Sequence, residues 1–174
     1  KMLIQGMGAK ELSCGYDFTF GKGGAGTTET LCRVAERHGV KVNVVEPVTL
    51  DGEPVSSTRI RQAILEGKMD EASRMLGRRF CLRLKVEHGN CIGRLLDFPT
   101  INQSFPQHHI VPRYGVYSTV VNVAGKLYGG VTNVGVKPTV GSDRPLSETY
   151  ILDYSGDLYG QTVEVYFFRF VRPE

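Results

Sequence analysis

The sequence lacks most of what would tie it to a membrane, a zinc cluster or a nucleic acid. No run of apolar residues approaches the ~20 needed to cross a bilayer, and no stretch has the pattern of a cleaved leader. The four cysteines, Cys14, Cys32, Cys81 and Cys91, are scattered and form no Cys-x-x-Cys pair. Such spacing argues against a zinc site and a disulfide framework, and it fits a reducing cytoplasm. The formal net charge of +3 is too small to imply a nucleic-acid or membrane partner. The glycine-rich stretch Gly21-Lys22-Gly23-Gly24-Ala25-Gly26 lacks the Gly-Lys-Ser/Thr ending of a P-loop and reads as a flexible loop.

What is present is ordinary globular composition, 41% hydrophobic and 22% charged, in 174 residues. That length suffices for one domain with a good core or for two small ones. Lys1-Met2-Leu3-Ile4 reads like the middle of a helix, and Phe170–Glu174 stops just after an apolar run. The chain is therefore expected to be a piece of a longer protein.

The first half alternates element types. Leu12–Tyr16 reads as a short buried strand, and Thr27-Thr28-Glu29 caps a helix with Leu31, Val34 and Ala35 at helical spacing. Gly39 ends that helix, and Lys41–Glu46 reads as a second strand. Strand, helix, strand implies a crossover and a parallel pair. A helix from Ser56 to about Glu66 and a shorter one from Asp70 to Leu76 follow. Ser57 and Thr58 at a helix start, with Arg59 and Arg61 nearby, can hold a phosphate, or can be an ordinary N-cap beside solvated arginines.

From Arg79 the period changes to two. Phe80, Leu82, Leu84 and Val86 alternate with polar residues, as in a half-buried strand. Gly115–Val123, Leu127–Val134, Ser147–Tyr154 and Thr162–Phe170 also read as strands, separated by short polar turns. Five or so strands with almost no helix predict a small antiparallel barrel, with a domain boundary near Gly77. His108-His109 reads as a surface loop, and Asp153 and Asp157 as turn residues.

Three features in this half can carry chemistry. Pro99 biases Phe98 towards extended backbone, which puts Thr100 and Asn102 on one side. A hydroxyl and a carboxamide are neutral oxygen ligands suited to Mg²⁺. Just upstream, Gly89, Gly93 and Arg94 can fold round an anion, although Pro-Thr in a loop is usually only a turn and two glycines four apart are common. Glu148 lies in an otherwise uncharged strand. Inside a barrel it would need a partner or a task, such as that of a general base; on the outer side it would simply face water.

Taken in order, these motifs resemble the bifunctional bacterial riboflavin kinase/FMN adenylyltransferases, also called FAD synthetases. Gly15-Tyr16-Asp17-Phe18-Thr19-Phe20-Gly21-Lys22 and Ser56–Arg61 resemble the adenylyltransferase module. Gly93-Arg94 through Pro99-Thr100-Ile101-Asn102, Gly115-Val116-Tyr117, Asn133 through Thr139, and Glu148–Asp153 with Asp157–Gly160 resemble the riboflavin kinase module. The resemblance implies an α+β chain: a partial Rossmann-like α/β nucleotidyltransferase module over 1–76, then a six-stranded antiparallel barrel over 77–174. It implies ATP-dependent phosphorylation of riboflavin to FMN, with Glu148 as catalytic base and Mg²⁺ at Thr100 and Asn102. ATP, leaving as ADP, is implied at Gly89, Gly93, Arg94, Pro99, Thr100 and Asn102. Flavin, as substrate and product, is implied at Tyr117, Asn133 and Thr139. The nucleotide of the adenylyltransferase is implied at Ser57, Thr58 and Arg61.

The chain differs from the family in four places. No pair among His38, His88, His108 and His109 has His-x-Gly-His spacing, and glycine and alanine stand where an Arg follows Lys22. Asp97 replaces a Gly before Phe-Pro-Thr, and the C-terminal helix that follows the barrel is not in the sequence. Adenylyl transfer is therefore expected to be incomplete here and kinase chemistry to be retained. The alternative expectation is a non-catalytic flavin- or nucleotide-binding fragment.

Overall fold

The computed structural model describes residues 2–87, 100–136 and 144–174. The chain forms two compact units, one ending at Val55 and the other running Ser56–Glu174.

In the first unit β1 (Glu11–Gly15) pairs in parallel with β2 (Lys41–Val45), and α1 (Thr28–Glu36) connects them. Thr27 caps α1, its side chain accepting from the Thr30 N–H. β3 (Thr49–Leu50) and β4 (Glu53–Pro54) form a hairpin closed by Asp51 and Gly52, with φ of 57° and 82°. Positive φ at both turn positions matches the twist of the flanking strands, which is why Asp-Gly suits this turn. The sequence predicts a buried strand at Leu12–Tyr16. β1 is instead half-exposed, because a single parallel pair with one helix offers it little cover.

The second unit opens with α2 (Ser57–Leu65) and α3 (Met69–Leu76). On α3 the spacing of Met69, Ala72 and Met75 makes one buried stripe. Gly77 ends α3 in the left-handed region at φ 66°. Six antiparallel strands follow: β5 (Phe80–Lys85), β6 (Thr100–Ser104), β7 (Gly115–Val123), β8 (Lys126–Val136), β9 (Pro145–Ile151) and β10 (Thr162–Arg172). Their order in the sheet is β5-β10-β7-β8-β9-β6. The compact units divide at Val55/Ser56, and α3 contacts β5 and β10.

The sheet curls until its two edges touch. Glu87, just after β5, bridges to Asn102 on β6, its N–H donating to the Asn102 carbonyl at 2.8 Å. The enclosed face holds Phe80, Leu82, Ile101, Tyr117, Val121, Val134, Ile151, Val165 and Phe167. Burying each such side chain contributes about 1.5–3 kcal/mol. Tyr117 and Phe167 pack edge-on with ring centres 5.1 Å apart, and Phe80 meets Phe167 at 5.6 Å. A row of buried hydroxyls, Thr119, Thr132 and Thr149, links β7, β8 and β9 within this core.

Candidate active site

Alternation along β6 places the site. Ile101 and Gln103 point inward and are buried, so Thr100, Asn102 and Ser104 share the outer face. Pairing then aligns Glu148 of β9 with Asn102 on one side and with Asn133 of β8 on the other. Directly opposed residues of an antiparallel sheet share a face, so Asn102, Glu148 and Asn133 form one row across three strands. The bridge puts Glu87 at the end of that row.

Glu148 is half-buried between the fully buried Ser147 and Thr149. Its carboxylate therefore stands on the outer face, which settles the two placements open in the sequence against the barrel interior. The Thr100 hydroxyl donates to Glu148 Oε1 at 3.1 Å. Ser104 Oγ donates to Glu87 Oε2 at 2.6 Å. Asn133 Nδ2 donates to Glu174 Oε1 at 3.4 Å, while its Oδ1 is buried with no partner among the described residues.

The surface is rich in oxygen and poor in competing ligands. Among the described residues no three of His, Cys, Asp and Glu come together as a metal cage. One carboxylate, one hydroxyl and one carboxamide are a donor set that fits Mg²⁺ entering with phosphates rather than a resident ion. Because Thr100 gives its proton to Glu148, the lone pairs of its oxygen can still face a cation.

A family model described as riboflavin kinase matches residues 76–174. The chain belongs to the riboflavin kinase family. A second model, described as FAD synthetase, matches residues 1–59, so the resemblance read from the motifs is borne out in both halves. A bifunctional riboflavin kinase/FMN adenylyltransferase of Pseudomonas fluorescens is 37% identical over 175 residues, 100% of this chain and 56% of that protein. One of the same description from Listeria monocytogenes is 35% identical over 161 residues, 92% of this chain and 51% of the relative. A solved Streptococcus pneumoniae structure, described as a macrolide-efflux protein, superposes with a TM-score of 0.85 at 36% identity. It covers 98% of this chain and 55% of its own. The chain thus spans about half the length of the curated relatives it matches. Among the described residues no helix is long and apolar enough to cross a membrane.

The remaining sequence expectations fall in three groups. Gly89, Gly93, Arg94, Pro99 and Thr139 lie outside the described residues. Tyr117 is fully buried, and its hydroxyl donates to the Arg113 carbonyl at 2.5 Å, so its side chain packs the core. Ser57, Thr58 and Arg61 are exposed on the first turns of α2, whose cap is Ser56, accepting from the Arg59 N–H at 3.2 Å. Sequence reasoning missed Glu87, Gln103 and Ser104. Extending the alternation of Thr100 and Asn102 by two residues would have found Ser104.

Proposed function

We propose that the barrel transfers the γ-phosphoryl group of ATP to the ribityl 5′-hydroxyl of riboflavin, giving FMN and ADP. The observation that carries this reading is the Glu148 carboxylate, flanked by Asn102 and Asn133 and held by the Thr100 hydroxyl. Phosphoryl transfer depends on positioning and charge neutralisation more than on covalent chemistry. Glu148 takes the proton of the attacking hydroxyl, and its hydrogen bond from Thr100 fixes the carboxylate's direction. Thr100 and Asn102 would hold Mg²⁺, which when bound neutralises phosphate charge. Gly89, Gly93, Arg94 and Pro99 are assigned to the phosphates. Asn133 and Thr139 are assigned to the flavin, with Tyr117 acting from the core, where its ring packs β7 against Phe167 and Phe170 of β10.

The first unit we read as part of a Rossmann-like nucleotidyltransferase module. Its parallel strand–helix–strand and the FAD synthetase match over 1–59 support this. Without a His-x-Gly-His motif in the 174 residues, adenylyl transfer is incomplete in them. The setting is a reducing cytoplasm, consistent with Cys14, Cys32 and Cys81 being free thiols.

Incubating the chain with riboflavin, ATP and Mg²⁺ tests the assignment, with FMN and ADP expected in equal amounts by chromatography. A second reading, flavin or nucleotide binding without turnover, is favoured by Asp97, which stands in the sequence between Arg94 and Pro99, both assigned to the phosphates. Tight riboflavin binding with no FMN formed would select it.

A further inference from the structure

The seam between β5 and β6 carries the fewest backbone pairings of the barrel among the described residues. These are the two edges of the sheet, and among the described residues a single bridge, Glu87 to Asn102, joins their backbones. β6 is laddered to β9 on its other side only. An edge strand held by one ladder is the part of a sheet that opens most readily. Yet β6 carries Thr100 and Asn102.

Gln103 crosses this seam from inside. It is fully buried, and its Nε2 donates to the Leu84 carbonyl at 2.7 Å and to the Val163 carbonyl at 3.0 Å. Leu84 lies on β5 and Val163 on β10, so one amide ties β6 to both strands beyond the seam. Both acceptors are carbonyls, which fixes which end of the carboxamide faces them. The other end, Oε1, is buried without a partner among the described residues. A methionine or leucine would fill similar space without leaving a desolvated oxygen, so packing alone does not account for a glutamine here.

We propose that Gln103 is the positioning residue for the Thr100–Asn102 pair. By anchoring the inner face of β6 to β5 and β10, it sets where those two groups stand against Glu148. This rests on reading Thr100 and Asn102 as the Mg·ATP ligands. Displacement of such groups by even ~1 Å can lower a rate about 10²-fold.

The test uses Gln103→Met and Gln103→Leu in the full chain. Calorimetry is expected to show Mg·ATP affinity about tenfold weaker, the loss of roughly one well-placed polar contact when Thr100 and Asn102 shift. Riboflavin affinity, read by fluorescence, is expected to stay within about twofold, because Asn133 sits on β8, which Gln103 does not tie. A merely structural defect would weaken both together. In a Thr100→Ala background, Gln103→Met is expected to add little further loss, since both changes act on one contact.

A parent chain that forms FMN, with a folded Gln103→Met variant of unchanged Mg·ATP affinity, keeps the kinase reading and removes Gln103 from it. A parent that neither binds Mg·ATP nor forms FMN removes both. Should the variants fail to fold, the Gln103 side-chain NH₂ protons of the parent decide. Slow solvent exchange and a shift on adding Mg·ATP are expected; exchange at the rate of an exposed amide overturns the proposal.

Discussion

Thr100 Oγ1 donates to Glu148 Oε1 at 3.1 Å across the β6–β9 ladder, on a diagonal, since Thr100 itself pairs with Tyr150 and Glu148 with Asn102. The hydroxyl thus links the carboxylate proposed as base to the residues proposed for the metal. Glu148→Gln keeps the shape and an oxygen for Thr100 to donate to, and it loses the ability to take a proton. Turnover of riboflavin to FMN is expected to fall about 10²–10⁴-fold, the range for a positioned base. Riboflavin affinity by fluorescence titration should stay within a few-fold. Parent-like turnover would remove Glu148 from its role.

Thr100→Ala deletes both the oxygen proposed to face the cation and the hydrogen bond to Glu148. Mg·ATP binding by calorimetry is expected to weaken about tenfold, with kcat falling as well because the carboxylate is less fixed. Thr100→Ser retains the hydroxyl and should recover most of both. If Thr100→Ala left Mg·ATP affinity unchanged, the ligand assignment on β6 would be wrong.

How far the sequence exposed this arrangement depended on the strand. Phe80–Val86 alternates cleanly, and β5 is legible at a glance. β6 is not, because Gln103 and Ser104 are polar and prolines stand on either side of it at Pro99 and Pro106. Its buried residue Gln103 satisfies its side chain through backbone carbonyls of β5 and β10, a partnership no periodicity reveals. Period also left Glu148 between two faces; the burial of Ser147 and Thr149 on either side of it decides the face, and the registers place it beside Asn102 and Asn133. The compactness of α2 and α3 with the barrel was hidden for a similar reason. The composition changes at Gly77, but Met69 and Met75 are buried in the unit that contains the barrel.

Tyr117 links stability to alkaline pH. Burial pushes its phenol well above the ordinary range, with nearby Arg113 opposing part of that rise. The folded chain therefore keeps the proton where the unfolded chain, titrating near pH ~10, loses it. The stabilisation is fully present below about pH 10 and falls as pH rises beyond it, by up to ~1.4 kcal/mol per pH unit from this residue. Urea midpoints measured between about pH 8 and 11 should show that decline, and Tyr117→Phe should flatten it. At neutral pH the same variant is expected to lose about 1 kcal/mol, since the Arg113 carbonyl loses its donor. A parent and variant with the same pH slope would show that Tyr117 ionises normally.

The buried hydroxyl row gives a prediction about non-additivity. Thr132 Oγ1 lies 2.9 Å from Thr119 Oγ1 and 2.8 Å from Thr149 Oγ1, so it is the partner of both neighbours. All three residues are buried. Thr132→Val keeps the volume and strands both flanking hydroxyls in an apolar core, a loss of about 1–3 kcal/mol by urea denaturation. Replacing all three threonines by valine removes the polar groups together and leaves none unpartnered. The triple variant is therefore expected to be more stable than Thr132→Val alone, the reverse of what summed single losses give. FMN formation should be unaffected in both, because the row points into the core and the Glu148 row points out. A triple variant less stable than the single one would mean that the hydroxyls contribute net stability and are not merely satisfied by one another.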